Sequence, residues 1–285
     1  MSFTAALPAL LLGALGLVML GLGLSLTVQD FVHLREHPRA VVLALLLQML
    51  VLPAAAVALI VLMGVQPLYA VGLLLLAASP GGVSANLFSH LFGGNVAMNI
   101  SLTAINTLLS IVSLPLIANW AIASYLQSGQ VVPLQLGKVL EVVSVVLVPV
   151  LIGMVVRRRH PACSERMGPP MKVFSAVVLA AFSLIAIAKE WAALTESFSS
   201  LGPVVLAFNL VSLLAGYYLS RAAGLEKSMA TAVSFEIGIH NSTLAIFVAM
   251  SVLGNMPLAL PAAIYSVSMY LTATAFGFWV RRRAG

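Results

Sequence analysis

The sequence predicts an all-α polytopic membrane protein of about nine transmembrane helices, built as an inverted repeat with two discontinuous helices. Three observations carry that expectation. Of 285 residues, 61% are hydrophobic and 8% charged, with a mean hydropathy of +1.10. Soluble domains carry about 25% charged residues, so this chain lacks the polar surface that would cover a globule in water. Its apolar stretches run to about 20 residues, rich in Leu, Ala and Val, which suits helices and not the short alternating strands of a membrane barrel. Finally, its basic residues cluster at one set of connections, as in a multi-span protein of fixed orientation.

With Pro, Gly and charge as punctuation, spans fall near residues 5–28, 40–63, 68–90, 95–124, 133–157, 171–189, 203–223, 226–250 and 258–280. The first lacks a basic n-region and a small-residue cleavage pattern, so it reads as a retained span and not a removed signal peptide. The third is interrupted by Ser79-Pro80-Gly81-Gly82, where proline and glycines oppose a continuous helix. In the fifth, Lys138 precedes Glu141 by one turn and is its natural ion-pair partner. The eighth holds Glu236, Gly238, His240 and Asn241 at similar depth. Trp120, Trp191 and Trp279 fall at span ends, as an interfacial belt requires.

Of the 14 basic residues, Arg35, Arg39, Arg157, Arg158, Arg159, Arg166, Lys172, Arg221, Lys227, Arg281, Arg282 and Arg283 lie at or beside one set of connections. Lys189 alone lies on the other, and Lys138 sits near the start of the fifth span. The positive-inside rule then puts the N-terminus outside and the C-terminus in the cytoplasm, and the basic runs can also meet anionic lipid. Each interrupted span is the next-to-last of a group of four: spans 1–4 (about 5–124) and spans 6–9 (about 171–280), with span 5 (about 133–157) between. The two groups therefore have opposite orientation. Inverted repeats with paired discontinuous helices are a plan of secondary transporters, whose sites lie where the breaks meet. The whole chain is expected to be one transmembrane unit.

Glu236 is the one carboxylate deep in a span. Asp30, Glu36, Glu165, Glu190, Glu196 and Glu226 fall in or beside connections, and Glu141 in the outer half of span five. An uncompensated anion at that depth costs several kcal/mol, so it must be protonated, paired or bound to a cation. No Lys or Arg is placed to pair with it. Asn86, Asn99, Ser101, Thr103 and Gln48 offer mid-span neutral oxygens, and unwound backbone near Gly81 and at Ile237-Gly238-Ile239 offers carbonyls. One carboxylate among neutral oxygens suits a monovalent cation better than calcium or magnesium. Each of these polar residues alone is equally explained as an interhelical hydrogen-bonding contact; their convergence on two breaks makes the ion reading.

His240 reads either as a neutral hydrogen-bonded imidazole or, if it faces Glu236, as a proton carrier. Asn241 and Ser242 begin the second half of the eighth span, and Asn86 to His90 is expected to offer a similar end in the third. Free N–H groups at such ends favour an anion. With Cys163 as the only cysteine, no internal disulfide is possible. No zinc-type histidine pair, phosphate loop or nucleophile elbow is present, and no nucleic-acid signature.

Several segments taken together resemble the bile acid:sodium symporter family. They are Gly21-Leu22-Gly23-Leu24-Ser25-Leu26, Gln48 five residues before Pro53, Ser79-Pro80-Gly81-Gly82 with Asn86, Gly94-Asn95-Val96-Ala97, and Glu236-Ile237-Gly238-Ile239-His240-Asn241-Ser242. The resemblance implies a core and a panel domain, crossing broken helices and sodium-coupled alternating access. It implies a first sodium site at Asn86, Asn99, Thr103 and Glu236. A second would use Gln48, Glu236, the carbonyls of Ile237 and Ile239, and His240. Ala85 and Asn99 stand where the family commonly has serines, and His240 where it has a glutamine, which weakens the second site. Members with ten spans begin with a helix that this chain lacks.

The function expected is sodium-coupled symport of an organic anion, a small carboxylate or bile-acid-like molecule, with Ser84, Asn241 and Ser242 at the substrate. Sodium serves as co-substrate, and neither a cofactor nor an obligate protein partner is expected. The alternatives are proton coupling through Glu236 and His240 and, remotely, an intramembrane hydrolase using Ser84 or Ser242 with His240. A compact basic chain without a transit peptide points to a bacterial inner membrane.

Overall fold

The computed structural model describes residues 3–126 and 134–282, and its regular structure there is entirely helical. Arg283 and the expected start of the fifth span at 133 lie outside the described residues. Helix α1 (Phe3–Ser25) is followed by a short α2 (Val28–His33). The second span is α3 (Pro38–Leu46), a π turn at Leu47–Val51 and α4 (Leu52–Met63). The third is split into α5 (Pro67–Ala78) and α6 (Val83–Leu91). Four long helices follow: α7 (Val96–Tyr125), α8 (Leu136–Arg159), α9 (Pro161–Lys189) and α10 (Trp191–Ala222). The segment expected as the eighth span is split into α11 (Lys227–Gly238) and α12 (Ser242–Phe247), which runs on through a π turn at Val248–Val252. A 3₁₀ turn at Met256–Ala259 leads into α13 (Leu260–Arg282).

Six of these runs are long and apolar enough to cross a membrane: Pro38–Met63, Val96–Tyr125, Leu136–Arg159, Pro161–Lys189, Leu201–Ala222 and Met256–Arg282. Leu12–Ser25, Pro67–Ala78 and Ser242–Val252 are shorter apolar helices. The chain is thus an integral, multi-pass membrane protein.

Three boundaries differ from expectation, each for a local reason. The first span ends at Ser25 and not near 28, because Asp30 Oδ2 accepts from Thr27 N at 2.6 Å and from Thr27 Oγ1 at 2.8 Å, starting a new helix. The sixth helix begins at Pro161, ten residues early, and runs through Pro169 and Pro170. That stretch is exposed apart from the half-buried Gly168 and from Ser164, whose hydroxyl donates to Leu24 O at 2.8 Å, so carbonyls freed by the two prolines have solvent. The seventh helix begins at Trp191 and contains Pro203.

Burial separates an enclosed centre from a lipid-facing shell. From Tyr69 to Ala78, from Met229 to Gly238 and along α12 every residue is buried. The outer helices instead expose Val61, Leu62, Leu116, Val148, Leu184 and Leu271, an arrangement stable against lipid tails and costly in water. Helices α1 and α8 cross closely at Gly23 and Gly153: a side chain at Gly23 would strike the Val150 carbonyl, and one at Gly153 the backbone of α1. Connections bearing the basic residues share clefts. One joins Ser25, Arg157 and Glu165; another Arg39, Leu225 and Glu226; a third His90, Lys227 and Arg281.

Candidate ion and substrate site at two helix breaks

Both breaks follow from local sequence. Proline disfavours helical backbone at the residue before it, and Ser79 leaves α5 with ψ 144°. Pro80 then has no N–H to donate, and Gly82 is extended. On the other side α11 ends at Gly238, and Ile239 leaves the helix with φ −120° and ψ 83°. The two extended segments pair antiparallel through Gly81 and His240. Gly82 N donates to Ile239 O at 2.7 Å, and Asn241 N donates to Pro80 O at 2.8 Å. Each break thereby satisfies the other's backbone, the condition for irregular chain at membrane depth.

Glu236, in the last turn of α11, is fully buried beside this crossing. Thr103 Oγ1 donates to its Oε2 at 2.5 Å and Asn106 Nδ2 to its Oε1 at 3.0 Å; the Gly81 backbone N–H is a third donor. Gly81 has to be glycine for this approach, because any side chain there would collide with the carboxylate. One turn away Asn99 Nδ2 donates to Ala232 O at 2.8 Å. The side-chain oxygens of Asn86, Asn99 and Asn106 are buried with no partner among the described residues. Of the three, only the Asn106 amide is in contact with the carboxylate, so its free oxygen is the one seen at Glu236.

A second cluster gathers on the first break. Gln48 Nε2 donates to Ala77 O at 3.0 Å and Ser79 O at 3.1 Å, and His240 Nδ1 lies 3.2 Å from the same Ser79 carbonyl. Gln48 sits in the π turn, a widening that accommodates Pro53 just beyond it. Gln48 Oε1 and His240 Nε2 are buried without partners among the described residues. The imidazole stacks on Phe208, centroids 5.5 Å apart and planes at 15°, with Tyr265 on its flank.

The residues of the expected first site therefore meet in part: Thr103 touches Glu236 directly, Asn99 lies one turn off, and Asn86 stands one turn into α6. For the second set, Gln48 and His240 meet at Ser79, while neither hydrogen-bonds to Glu236. Ile237 is buried in the last turn of α11, and the Ile239 carbonyl already accepts from Gly82, leaving it one lone pair. Ser101 bonds back to Ala97 O at 2.8 Å along its own helix.

Sequence reasoning missed three side chains. Asn106 lies one turn beyond Thr103 and two beyond Asn99 on α7, a spacing that would have placed it on the same face. Asn209 Nδ2 donates to Gly238 O at 2.9 Å, Tyr265 Oη to the same carbonyl at 2.8 Å, and Thr272 Oγ1 to Asn209 Oδ1. Asn209 and Tyr265 thus buttress the end of α11 from α10 and α13; no local signal marks that role.

Beside the crossing lies a cavity of about 320 Å³ lined by Gly82, Ser84, His240, Asn241, Ser242, Tyr270 and apolar residues. Ser84, Asn241 and Ser242, expected at the substrate, all line it. Its two helix starts are Gly82–Ser84 of α6 and Asn241–Thr243 of α12. Asn86 to His90 was expected to supply the first; His90 instead lies in the last turn of α6 and is exposed, because the helix restarts immediately after the glycines. Asn241 caps α12, its Oδ1 accepting from Leu244 N at 3.1 Å. The Ser84 hydroxyl is 3.0 Å from Tyr270 Oη, and Ser242 Oγ has no partner among the described residues. Neither serine is hydrogen-bonded to His240, whose Nδ1 faces the Ser79 carbonyl.

Two interrupted helices joined at their breaks, with a buried carboxylate and a cavity beside the crossing, match the plan of secondary transporters. The chain belongs to the Sodium Bile acid symporter family, whose model matches residues 12–197, a family of transporters and not of enzymes. It is 28% identical over 268 residues to "Probable sodium/metabolite cotransporter BASS1, chloroplastic" of Arabidopsis thaliana, covering 94% of this chain and 66% of that protein. It is 25% identical over 270 residues to "Uncharacterized sodium-dependent transporter YocS" of Bacillus subtilis (strain 168), covering 94% and 82%. It is 31% identical over 225 residues to "P3 protein" of Mus musculus, covering 79% of this chain and 47% of that protein. The chain thus spans just under two thirds of the length of the Arabidopsis relative.

Proposed function

We propose that this protein is a sodium-coupled symporter of a small organic anion, working by alternating access across a bacterial inner membrane. The observation that carries the reading is the buried Glu236 carboxylate beside the paired breaks, held by Thr103 and Asn106, whose own amide oxygen is unpartnered among the described residues; the oxygens of Asn86 and Asn99 would complete the set. A sodium ion there would compensate the buried charge that no Lys or Arg among the described residues neutralises. Gln48, His240 and the carbonyls of Ile237 and Ile239 would form a weaker second position. The anion would sit in the adjoining cavity, against the N-terminal ends of α6 and α12 and the hydroxyls of Ser84 and Ser242. Because one segment pair joins both places, ion binding would set the shape of the cavity. Nine crossings with the N-terminus outside, arranged as two inverted groups of four around the fifth, would let that pair serve both membrane faces.

Proton coupling through Glu236 and His240 has less support, since the imidazole bonds to the Ser79 carbonyl and not to the carboxylate. The test is uptake of a panel of small carboxylates into proteoliposomes driven by an inward sodium gradient, with potassium as control. At least one carboxylate should accumulate with sodium alone, and Glu236→Ala should reduce that uptake to background. Uptake indifferent to sodium, or unaffected by Glu236→Ala, would overturn the reading.

A further inference from the structure

Asn106 stands in an arrangement that hydrogen bonding alone leaves incomplete. Its side chain is fully buried, its Nδ2 donates to Glu236 Oε1 at 3.0 Å, and its Oδ1 has no donor among the described residues. A buried amide is ordinarily satisfied at both ends. Here the unpaired end belongs to the one amide that touches the carboxylate directly. Thr103, one turn earlier on α7, holds the other carboxylate oxygen, so α7 grips Glu236 through two neighbouring side chains. Removing Asn106 therefore removes both a donor to the anion and an oxygen within a side chain's reach of it.

Resting on the sodium reading, we infer that Asn106 is a further ligand of the ion at Glu236, one that exchanges roles with it. In the ion-free site the amide N–H supplies the positive end that Oε1 needs. When sodium binds the carboxylate, the cation takes over that part, and the amide turns about its last torsion to present Oδ1 to the ion. The exchange relieves the unpaired oxygen and makes occupancy of the site felt along α7. It also makes the donor set three amides, a hydroxyl and a single carboxylate, which favours a monovalent ion over calcium.

The experiment is sodium titration of the purified full chain by thermal unfolding, with potassium holding ionic strength constant, since a ligand of the folded state raises its stability by mass action. Asn106→Leu should raise the sodium concentration for half-maximal stabilisation by about tenfold or more. A residue that merely packs would lower the melting temperature equally with and without sodium. Asn106→Asp keeps an oxygen and adds a second carboxylate, so calcium should stabilise this variant and not the wild type. The second variant decides the matter if the first fails to fold. A wild-type sodium response in Asn106→Leu, or Asn106→Asp with a wild-type sodium response and none to calcium, would overturn the role of Asn106 while leaving the sodium reading intact. Absence of any sodium response in the wild type would overturn both.

Discussion

The two breaks perform one topological task with different materials. At the first, Ser79-Pro80-Gly81-Gly82 interrupts the helix through backbone chemistry alone, and its neighbours Gln48 and His240 come to its carbonyls. At the second, Gly238-Ile239-His240-Asn241 has no proline; the helix end is held by Asn209 and Tyr265 on the Gly238 carbonyl. The first contributes space, because only glycine at 81 lets the backbone meet Glu236. The second contributes charge. The cation site proposed above would need both, and they come from helices far apart in sequence that are joined by two reciprocal backbone hydrogen bonds.

Removing the charge should have the largest effect. Glu236→Gln preserves shape and should lower sodium-driven uptake in proteoliposomes by about 100-fold or more, because the site then holds no anion to attract the cation. Removing the space comes next. Gly81→Ala should destabilise the folded protein by about 1–3 kcal/mol in denaturant or heat, the usual cost of overpacking, and weaken sodium-dependent stabilisation as well. Loosening the second break's support is milder. Tyr265→Phe loses one of two donors to Gly238 O and should cost about 1 kcal/mol, read as a lower melting temperature with a modest loss of sodium affinity. Pro80→Ala should be mildest, about 0.5–1 kcal/mol, since Gly81, Gly82 and the bond from Asn241 to residue 80 would still hold the break. An effect of Pro80→Ala exceeding that of Gly81→Ala would show that the proline, and not the glycine beside Glu236, maintains the crossing.

Much of this was legible in the sequence because membranes penalise exceptions. A proline between a leucine-rich helix and two glycines, or a lone glutamate in an apolar span, stands out against 61% hydrophobic residues. Asn241 and Ser242 were expected from their position just past the second break, and both line the cavity together with Ser84; the helix end at the first break was expected further along, at Asn86 to His90. The remainder depended on pairings that no local pattern encodes. Asn209 meets Gly238 from 29 residues away and Tyr265 meets it from 27, so neither residue differs in sequence from a polar group bonded along its own helix, as Ser101 is. Asn106 was within reach of periodicity, being in register with Asn99 and Thr103. The early start of α9 was hidden because Pro169 and Pro170 read as a stop, although an exposed helix end tolerates them.

Equilibrium binding of radioactive sodium to the purified protein, wild type against Glu236→Ala, tests the central claim most directly. The account predicts saturable binding displaced by unlabelled sodium and not by potassium, and its loss in Glu236→Ala while the variant remains folded. Saturable binding of wild-type affinity in Glu236→Ala, or none in the wild type, would contradict it.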